Sequence, residues 1–542
     1  MMAALAAWAA PVAAQSAGNG ATGRSAAVRA EDLRARLTAF AHDSMEGREA
    51  GTPGHDRAAA YLARELARLG LRPAGEGGSF YQEVPLIHSA LDRSVVLTVD
   101  GAPLRPEDEY TPLDQRSAIR SLDGAQVLFG GRVPEAAALT PEQVAGKVVV
   151  FLYQPGGPLL PPSGASSNLA GAAGVALTGI DSAYTGSYSW TLIRASSGFT
   201  YDDSSAAKSV KLLLHSSAAR KMFGRPLEEL RQGDTGKRLG GDVRYVRTSR
   251  PTRNVVAVLP GTDPRLRGQY VALGAHSDHD GVRWGAADHD SLRAYLQALR
   301  QREGQGGDPL PAAEQERIAR EVARRPGGAR SRPDSIFNGA DDDGSGSIAL
   351  LELAEHFVDP ANRPRRSLLF VWHTAEEKGL QGSQWFTDHP TVPRDSIVAQ
   401  INVDMIGRGG SADLPNGGPD YLQLLGSRRL STQLGDLVEA ANAGRPRPFR
   451  LDYQYDADGH PENYYCRSDH WNYARYGIPV VFFSTGGHAD YHRVTDEVQY
   501  IDFEHYTRVT DFIGDVARRV ANLDRRPVVD RPRPDPNGPC RQ

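Results

Sequence analysis

Cysteine is almost absent from this 542-residue chain: there are two, Cys466 and Cys540, and the second lies in a Pro/Arg-rich tail. Two residues so placed exclude a disulfide framework and a cysteine-ligated zinc site, and neither is expected to carry a function. After the first residues no apolar run approaches the roughly 20 residues that a membrane helix needs. Positive charge is not in excess either. Lys and Arg number 62 against 66 Asp and Glu, a net charge of -4, which offers no general basic surface for nucleic acid. What is present, 40% hydrophobic and 24% charged residues, is the composition of a soluble globular protein. The length is too great for one core, so two or more domains are expected.

The opening, MMAALAAWAAPVAAQSAGNG, is an apolar stretch of about a dozen residues ending in small ones. It has the length of a secretory signal core, although no basic leader precedes it. The expectation is a signal peptide over 1–14, a disordered linker over 15–30, and export to the periplasm or beyond. Leu33, Leu37 and Phe40, then Leu62, Leu66 and Leu69 with Gly70 behind them, predict two helices on either side of SMEGREAGTPG. From about 90 to 250 short β-branched runs (SVVLTV, AQVLFG, KVVVFLY, VKLLLH) alternate with Gly/Pro/Ser-rich turns and a helix-like GASSNLAGAAGVALTG. This predicts a small strand-rich module, whose polar loop GIDSAYTGSYSWTLIRASSGFTYDDSSAA holds no cluster of metal ligands.

From 253 the rhythm changes to continuous apolar runs, NVVAVLPG, YVALGAH, SLLFVWHTA, IVAQINVDM and IPVVFFSTGG, separated by helical patterns. The fold class implied is α/β, a mixed, largely parallel sheet buried on both faces and flanked by helices. An Arg/Gln/Glu/Gly-rich insertion over 284–333 reads as one or two surface helices without evident chemistry. The tail 524–542 reads as extended or disordered.

The apolar runs and a loop end in side chains that bind metals. YVALGAHSDHDG delivers His276, Asp278, His279 and Asp280; FNGADDDGSG carries Asp341, Asp342 and Asp343; SLLFVWHTAEE delivers Glu376 and Glu377. INVDM delivers Asp404, and FFSTGGHADYHRVTDE delivers His488, Asp490, His492 and Asp496. Alone, each is ordinary: a strand-end Asp is usually a helix cap, and the DDDGSG segment lacks the bidentate Glu of a calcium loop. Five in about 220 residues point to one crevice at the carboxyl edge of an open sheet. Imidazole and carboxylate without thiolate fit zinc, with manganese or cobalt as substitutes. The surplus of ligands suits two ions sharing a bridging carboxylate. One glutamate of the adjacent pair would then bind metal while the other stays free as a base.

The set GAHSDH, NGADDDGSG, HTAEEKGLQGS, NVDMIG and HADYH, with SDHWNYARYGIPVVFF and LTAFAHDSMEGREAGTPG, resembles the secreted di-zinc aminopeptidases of the clan containing glutamate carboxypeptidase and the transferrin receptor. The resemblance covers about 31–115 and 250–520. It implies a zinc exopeptidase (phosphorylase/hydrolase-like) domain in two pieces, 31–115 and 249–523, around a protease-associated domain at 116–248. It implies His276, Asp342, Glu377, Asp404 and His492 as ligands of two Zn2+, with Asp342 bridging and Glu376 as general base. Asp278 would orient His276 and Asp496 would orient His492, while His279, His488, Asp341 and Asp343 fall outside the ligand positions. Peptides are the implied substrates and aminopeptidase action the implied activity. Carboxypeptidase or glutaminyl cyclase chemistry on the same fold, or a metal-free receptor-like binding protein, are the alternatives.

Overall fold

In a computed structural model of the chain, the described residues are 27–542 except 107, 114–118, 134–135, 137, 155–166, 170, 181–196, 201–209, 302–311, 325–331 and 415. The expected signal peptide, nearly all of the expected linker and most of the polar loop at 179–207 lie outside them. The last linker residue, Ala30, opens the first helix.

The site is carried by a nine-stranded mixed sheet. Its central strands are β1 (Thr252–Leu259), β2 (Tyr270–His276), β3 (Ser367–His373), β4 (Ile397–Val403), β5 (Tyr421–Leu425) and β6 (Val480–Ser484), in the spatial order β1-β3-β2-β4-β6-β5. β3, β2, β4 and β6 run parallel, so their carboxyl ends share one edge, while β1 is antiparallel to β3 and β5 to β6. Every residue of β3, β4 and β6 is buried, as strands covered on both faces require, and the two amides inside β4 are paired, Gln400 Nε2 donating to Asn402 Oδ1 (3.1 Å).

Helices α1 (Ala30–Phe40), α2 (Pro53–Leu69), α3 (Gly344–Val358), α4 (Thr432–Ala443) and α5 (Phe503–Asn522) contribute to the largest apolar core with this sheet. α2 starts with Pro53 in its first turn and stops at Gly70 in the left-handed region (φ 78°), the ordinary punctuation of a helix. Arg36 of α1 is buried between Glu352 and Glu355 of α3, which fixes one helix on the other. The Trp372 indole donates to the Ser347 carbonyl (2.9 Å), and Ser347 Oγ donates to the His276 carbonyl (2.6 Å). The first turn of α3 is thereby tied to the ends of β2 and β3.

A second body contains an eight-stranded sheet centred on Gln126–Val133, Val148–Tyr153, Gly174–Thr178 and Val210–Leu214, with a four-stranded sheet beside it in sequence. Gly174–Thr178 is a strand and not part of a helix. Val175, Ala176 and Leu177 are buried between parallel neighbours, and Gly171 and Gly174 weaken the helical alternative. The expected boundary at 115 moves towards the amino terminus. Ile87–Leu91 pairs with Asp242–Ser249, and Tyr110–Pro112 pairs with Val210–Leu214, so the chain leaves the first sheet after Tyr81–Val84.

Within the insertion, Gly281–Asp288 and Pro333–Phe337 form a two-stranded stem. It carries helices His289–Gln301 and Ala312–Arg324, joined through Ile318, Val322, Tyr295 and Leu299. The tail corrects two expectations. Cys466 and Cys540 form a disulfide, and Cys540 packs against a core cluster containing Tyr465 and Tyr473. The side chain of Gln542 accepts from the Tyr465 backbone N–H (2.9 Å), and its carbonyl accepts from Gly459 (3.1 Å). A proline-rich segment forms few bonds within itself, but it can be fixed by bonds to a neighbouring surface.

Candidate metal centre

Each strand end delivers a polar side chain to the same edge. His276 is the last residue of β2, Glu376 and Glu377 follow β3 within four residues, and Asp404 follows β4 directly. His488 and His492 follow β6, and Asp342 precedes α3. The turns that point these groups inwards use left-handed backbone at Ala375 (φ 53°), Met405 (φ 60°) and His492 (φ 53°). Non-glycine residues hold that conformation only where the surroundings enforce it.

The structure brings His276, Asp342, Glu377, Asp404 and His492 into one crevice. His276 Nε2 lies 3.2 Å from Asp342 Oδ1 and 3.7 Å from Asp404 Oδ1. His492 Nε2 lies 3.0 Å from Asp342 Oδ2 and 3.1 Å from Glu377 Oε2. The two oxygens of Asp342 thus face different histidines. Ligand atoms held tetrahedrally at the usual distances from a zinc ion stand roughly 3.3 Å from each other, close to these spacings. Asp404 Oδ1 and Asp342 Oδ2 are buried without a hydrogen-bond donor in suitable geometry, an arrangement that a cation would satisfy. The donor set therefore fits divalent metal: His276, Asp342 and Asp404 could hold it, as could Asp342, Glu377 and His492.

Electrostatics separate the adjacent glutamates. Burial raises the Glu376 carboxyl well above its ordinary value, against the pull of His276 and with the help of Glu377 and Asp404. Burial and Asp342 act the same way on Glu377, but His492 and His279 override them and hold it at about 2. Burial would likewise raise Asp342, yet its contacts with His276 and His492 hold it well below the carboxylate range. Glu376 Oε2 is 4.0 Å from His276 Nε2 and is free of the closer contacts that engage Glu377.

Asp278 serves His276 through its backbone: its carbonyl meets His276 Nδ1 at 3.1 Å, while its carboxylate stands 3.8 Å away. That carboxylate accepts from the Glu376 N–H (3.1 Å). Asp496 does not orient His492. It accepts from the backbone N–H groups of Asp341 and Asp342 (3.0 Å each), and Asp280 is the carboxylate that faces His492 Nδ1, at 3.7 Å.

Three supporting roles were not read from sequence. His279 Nδ1 lies 2.7 Å from Glu377 Oε1. Asp343 accepts from the His276 N–H (2.9 Å) and from Gly346 at the start of α3 (2.8 Å). Asp341 accepts from Gly407 (2.6 Å) and faces His488 Nε2 at 3.2 Å. The HSDHD and DDDG runs were the available signals, but which oxygen turns to which partner depends on backbone outside both motifs.

A mixed sheet with a His/carboxylate crevice at its carboxyl edge defines the class, and the path of the chain is shared with a bacterial aminopeptidase. That enzyme, from Aneurinibacillus sp. strain AM-1, superposes with a TM-score of 0.53 at 17% identity, over 93% of this chain and 98% of the other. Residues 323–517 match the model of peptidase family M28. Leupeptin-inactivating enzyme 1 of Streptomyces exfoliatus is 31% identical over 188 residues, 33% of this chain and 38% of the relative. Leucine aminopeptidase 1 of Aspergillus fumigatus is 27% identical over 179 residues, 31% of this chain and 42% of the relative. The chain spans less than half the length of these curated relatives. Among the described residues, no helix is long and apolar enough to cross a membrane.

Proposed function

We propose that this chain is an exported two-zinc exopeptidase that removes residues from the amino terminus of peptides. The observation that carries the reading is the placement of Asp342, one oxygen towards His276 and the other towards His492. When bound, two zinc ions would polarise the scissile carbonyl and acidify the attacking water. His276, Asp342 and Asp404 would hold one ion, and Asp342, Glu377 and His492 the other. Glu376 takes the proton of the attacking water and returns it to the leaving amine. Asp278 holds the Glu376 backbone in place for both transfers.

The adjoining pocket has a floor containing Asp342, Glu376 and Asp404 and a wall that includes Met405, Phe482 and Tyr464. The apolar wall suits the side chain of a terminal residue whose scissile carbonyl lies over the carboxylates of the floor. Carboxypeptidase action is the second reading, because Arg467 also lines this pocket. Its guanidinium is already engaged by Tyr491 Oη (3.3 Å) and the Glu462 carbonyl (3.4 Å). The Cys466–Cys540 disulfide supports export, since such bonds persist in oxidising compartments. The second body, whose strands run from Ile87–Leu91 to Asp242–Ser249, is read as a protease-associated domain that restricts access to the crevice.

A panel of aminoacyl chromogenic substrates and amino-blocked peptides, assayed with and without added zinc, tests the reading. Free-amine substrates are expected to be cleaved and blocked ones spared; the reverse pattern identifies a carboxypeptidase. Glu376→Gln is expected to lower turnover by roughly 10²–10⁴-fold with its zinc retained. Loss of zinc in that variant would mean that the two glutamates have exchanged roles.

A further inference from the structure

A second group of metal-binding side chains lies at the root of the inserted arm. His289 opens the helix His289–Gln301, Asp334 lies on the returning strand Pro333–Phe337, and Glu497 directly follows Asp496. A nitrogen of His289 and one oxygen each of Asp334 and Glu497 all lie within 4.8 Å of one another. His289 is fully buried, and its Nε2 points into this group with no hydrogen-bond partner in suitable geometry, 3.3 Å from Glu497 Oε1. Its Nδ1 is 3.1 Å from Asp290 Oδ1, and its ring stacks on Tyr500 with centroids 6.0 Å apart. These contacts fix the direction of Nε2.

Among the described residues the neighbouring arginines bond to other acceptors, although the charge of Arg332 also reaches Glu497. Arg332 Nη1 donates to Asp290 Oδ1 (3.2 Å). Arg293 lies over the Tyr500 ring (3.5 Å) and 3.5 Å from Asp490 Oδ2. Two carboxylates and a buried imidazole nitrogen therefore converge, and among the described residues no arginine hydrogen bond to either carboxylate is seen, only the longer-range charge of Arg332 on Glu497. One imidazole with two carboxylates is a donor set for zinc or manganese, whereas calcium and magnesium prefer oxygen alone.

We propose that His289, Asp334 and Glu497 bind one divalent transition cation, Zn2+ or Mn2+, in addition to those of the catalytic crevice. Asp496 accepts from the backbone N–H groups of Asp341 and Asp342. A cation on Glu497 thus ties the base of the arm to the segment that positions Asp342.

The test uses the full chain, stripped with chelator, reloaded with Zn2+ or Mn2+ alone and desalted, with bound metal counted per chain by mass spectrometry. Wild type is expected to retain one equivalent more than His289→Ala, Glu497→Gln or Asp334→Asn, whatever number the catalytic crevice holds. Circular dichroism identifies any variant that fails to fold, and Asp334→Asn, partly exposed on the stem, is the mildest of the three. Equal counts in wild type and a folded variant would overturn the site and show His289 to be an ion-pair partner of Glu497. An extra equivalent present only before desalting would overturn it as well. Because the readout is a difference, it fails independently of the two-zinc reading.

Discussion

The two halves of the crevice share Asp342 but are built differently. His276 ends a regular strand and is 1% exposed; its N–H is held by Asp343, and its Nδ1 meets a carbonyl. Asp404 beside it receives the Ser468 hydroxyl at 2.8 Å. His492 sits in a turn at φ 53° with its side chain 33% exposed, and the carboxylate behind it stands at 3.7 Å. Of the two histidines, His276 is buried and closely backed, while His492 is partly exposed and backed at longer range. On the two-zinc reading proposed above, the His276 half would hold its ion more firmly than the His492 half.

The most direct test follows from that difference. Stepwise zinc reloading, in a His289→Ala background that silences the arm, should show two affinities separated by roughly 10–100-fold, the range that supporting contacts control. His276→Ala should remove the tighter and His492→Ala the weaker. Equal affinities would break the comparison.

The disulfide bears on the His276 half, because Cys466 lies two residues before Ser468. Its cysteines are 74 residues apart, and closing a loop of that length is worth about 4 kcal/mol in the chain-entropy account. Replacing both cysteines with serine should lower stability by that order in denaturant unfolding, and should loosen zinc at His276 more than at His492.

The smallest effect expected is one of acidity. His55 backs the same half, with Nε2 3.0 Å from Ser277 Oγ and Nδ1 3.1 Å from Thr252 Oγ1. Burial, with the charges of Arg48 and Arg253, lowers its pKa from 6.5 to about 3. The unfolded chain therefore binds the proton first. The contribution of His55 is complete above pH 6.5 and is lost as the pH falls towards 3, by about 2 kcal/mol at pH 5. His55→Gln should flatten that acid limb in unfolding midpoints measured against pH, and an unchanged slope would remove His55 from the account.

The crevice could be read from sequence because acidic and histidine side chains follow the apolar runs or precede α3, and parallel strands bring such ends to one edge; the choice of five among them rested on the resemblance to the di-zinc aminopeptidases. Their supports could not. His279 and Asp280 are neighbours in HSDHD, yet one turns to Glu377 and the other to His492, a choice set by backbone direction after β2. The disulfide joins positions whose proximity depends on the whole sheet. Strands such as Ile87–Leu91 looked the same whichever sheet they joined, since local pattern records burial and not partner.

Arg48 gives a practical consequence. Buried beside Gly47, whose missing side chain would collide with the Gly281 carbonyl at 2.4 Å, it donates to the carbonyls of Ser277 (3.1 Å), Asn338 (2.5 Å) and Gly339 (2.8 Å). The segment before the second body therefore bolts together the two loops that carry His276 and Asp342. Cloning boundaries chosen from the family match at 323–517 would discard both that bolt and His276, and would yield an expression product with no means of assembling its centre.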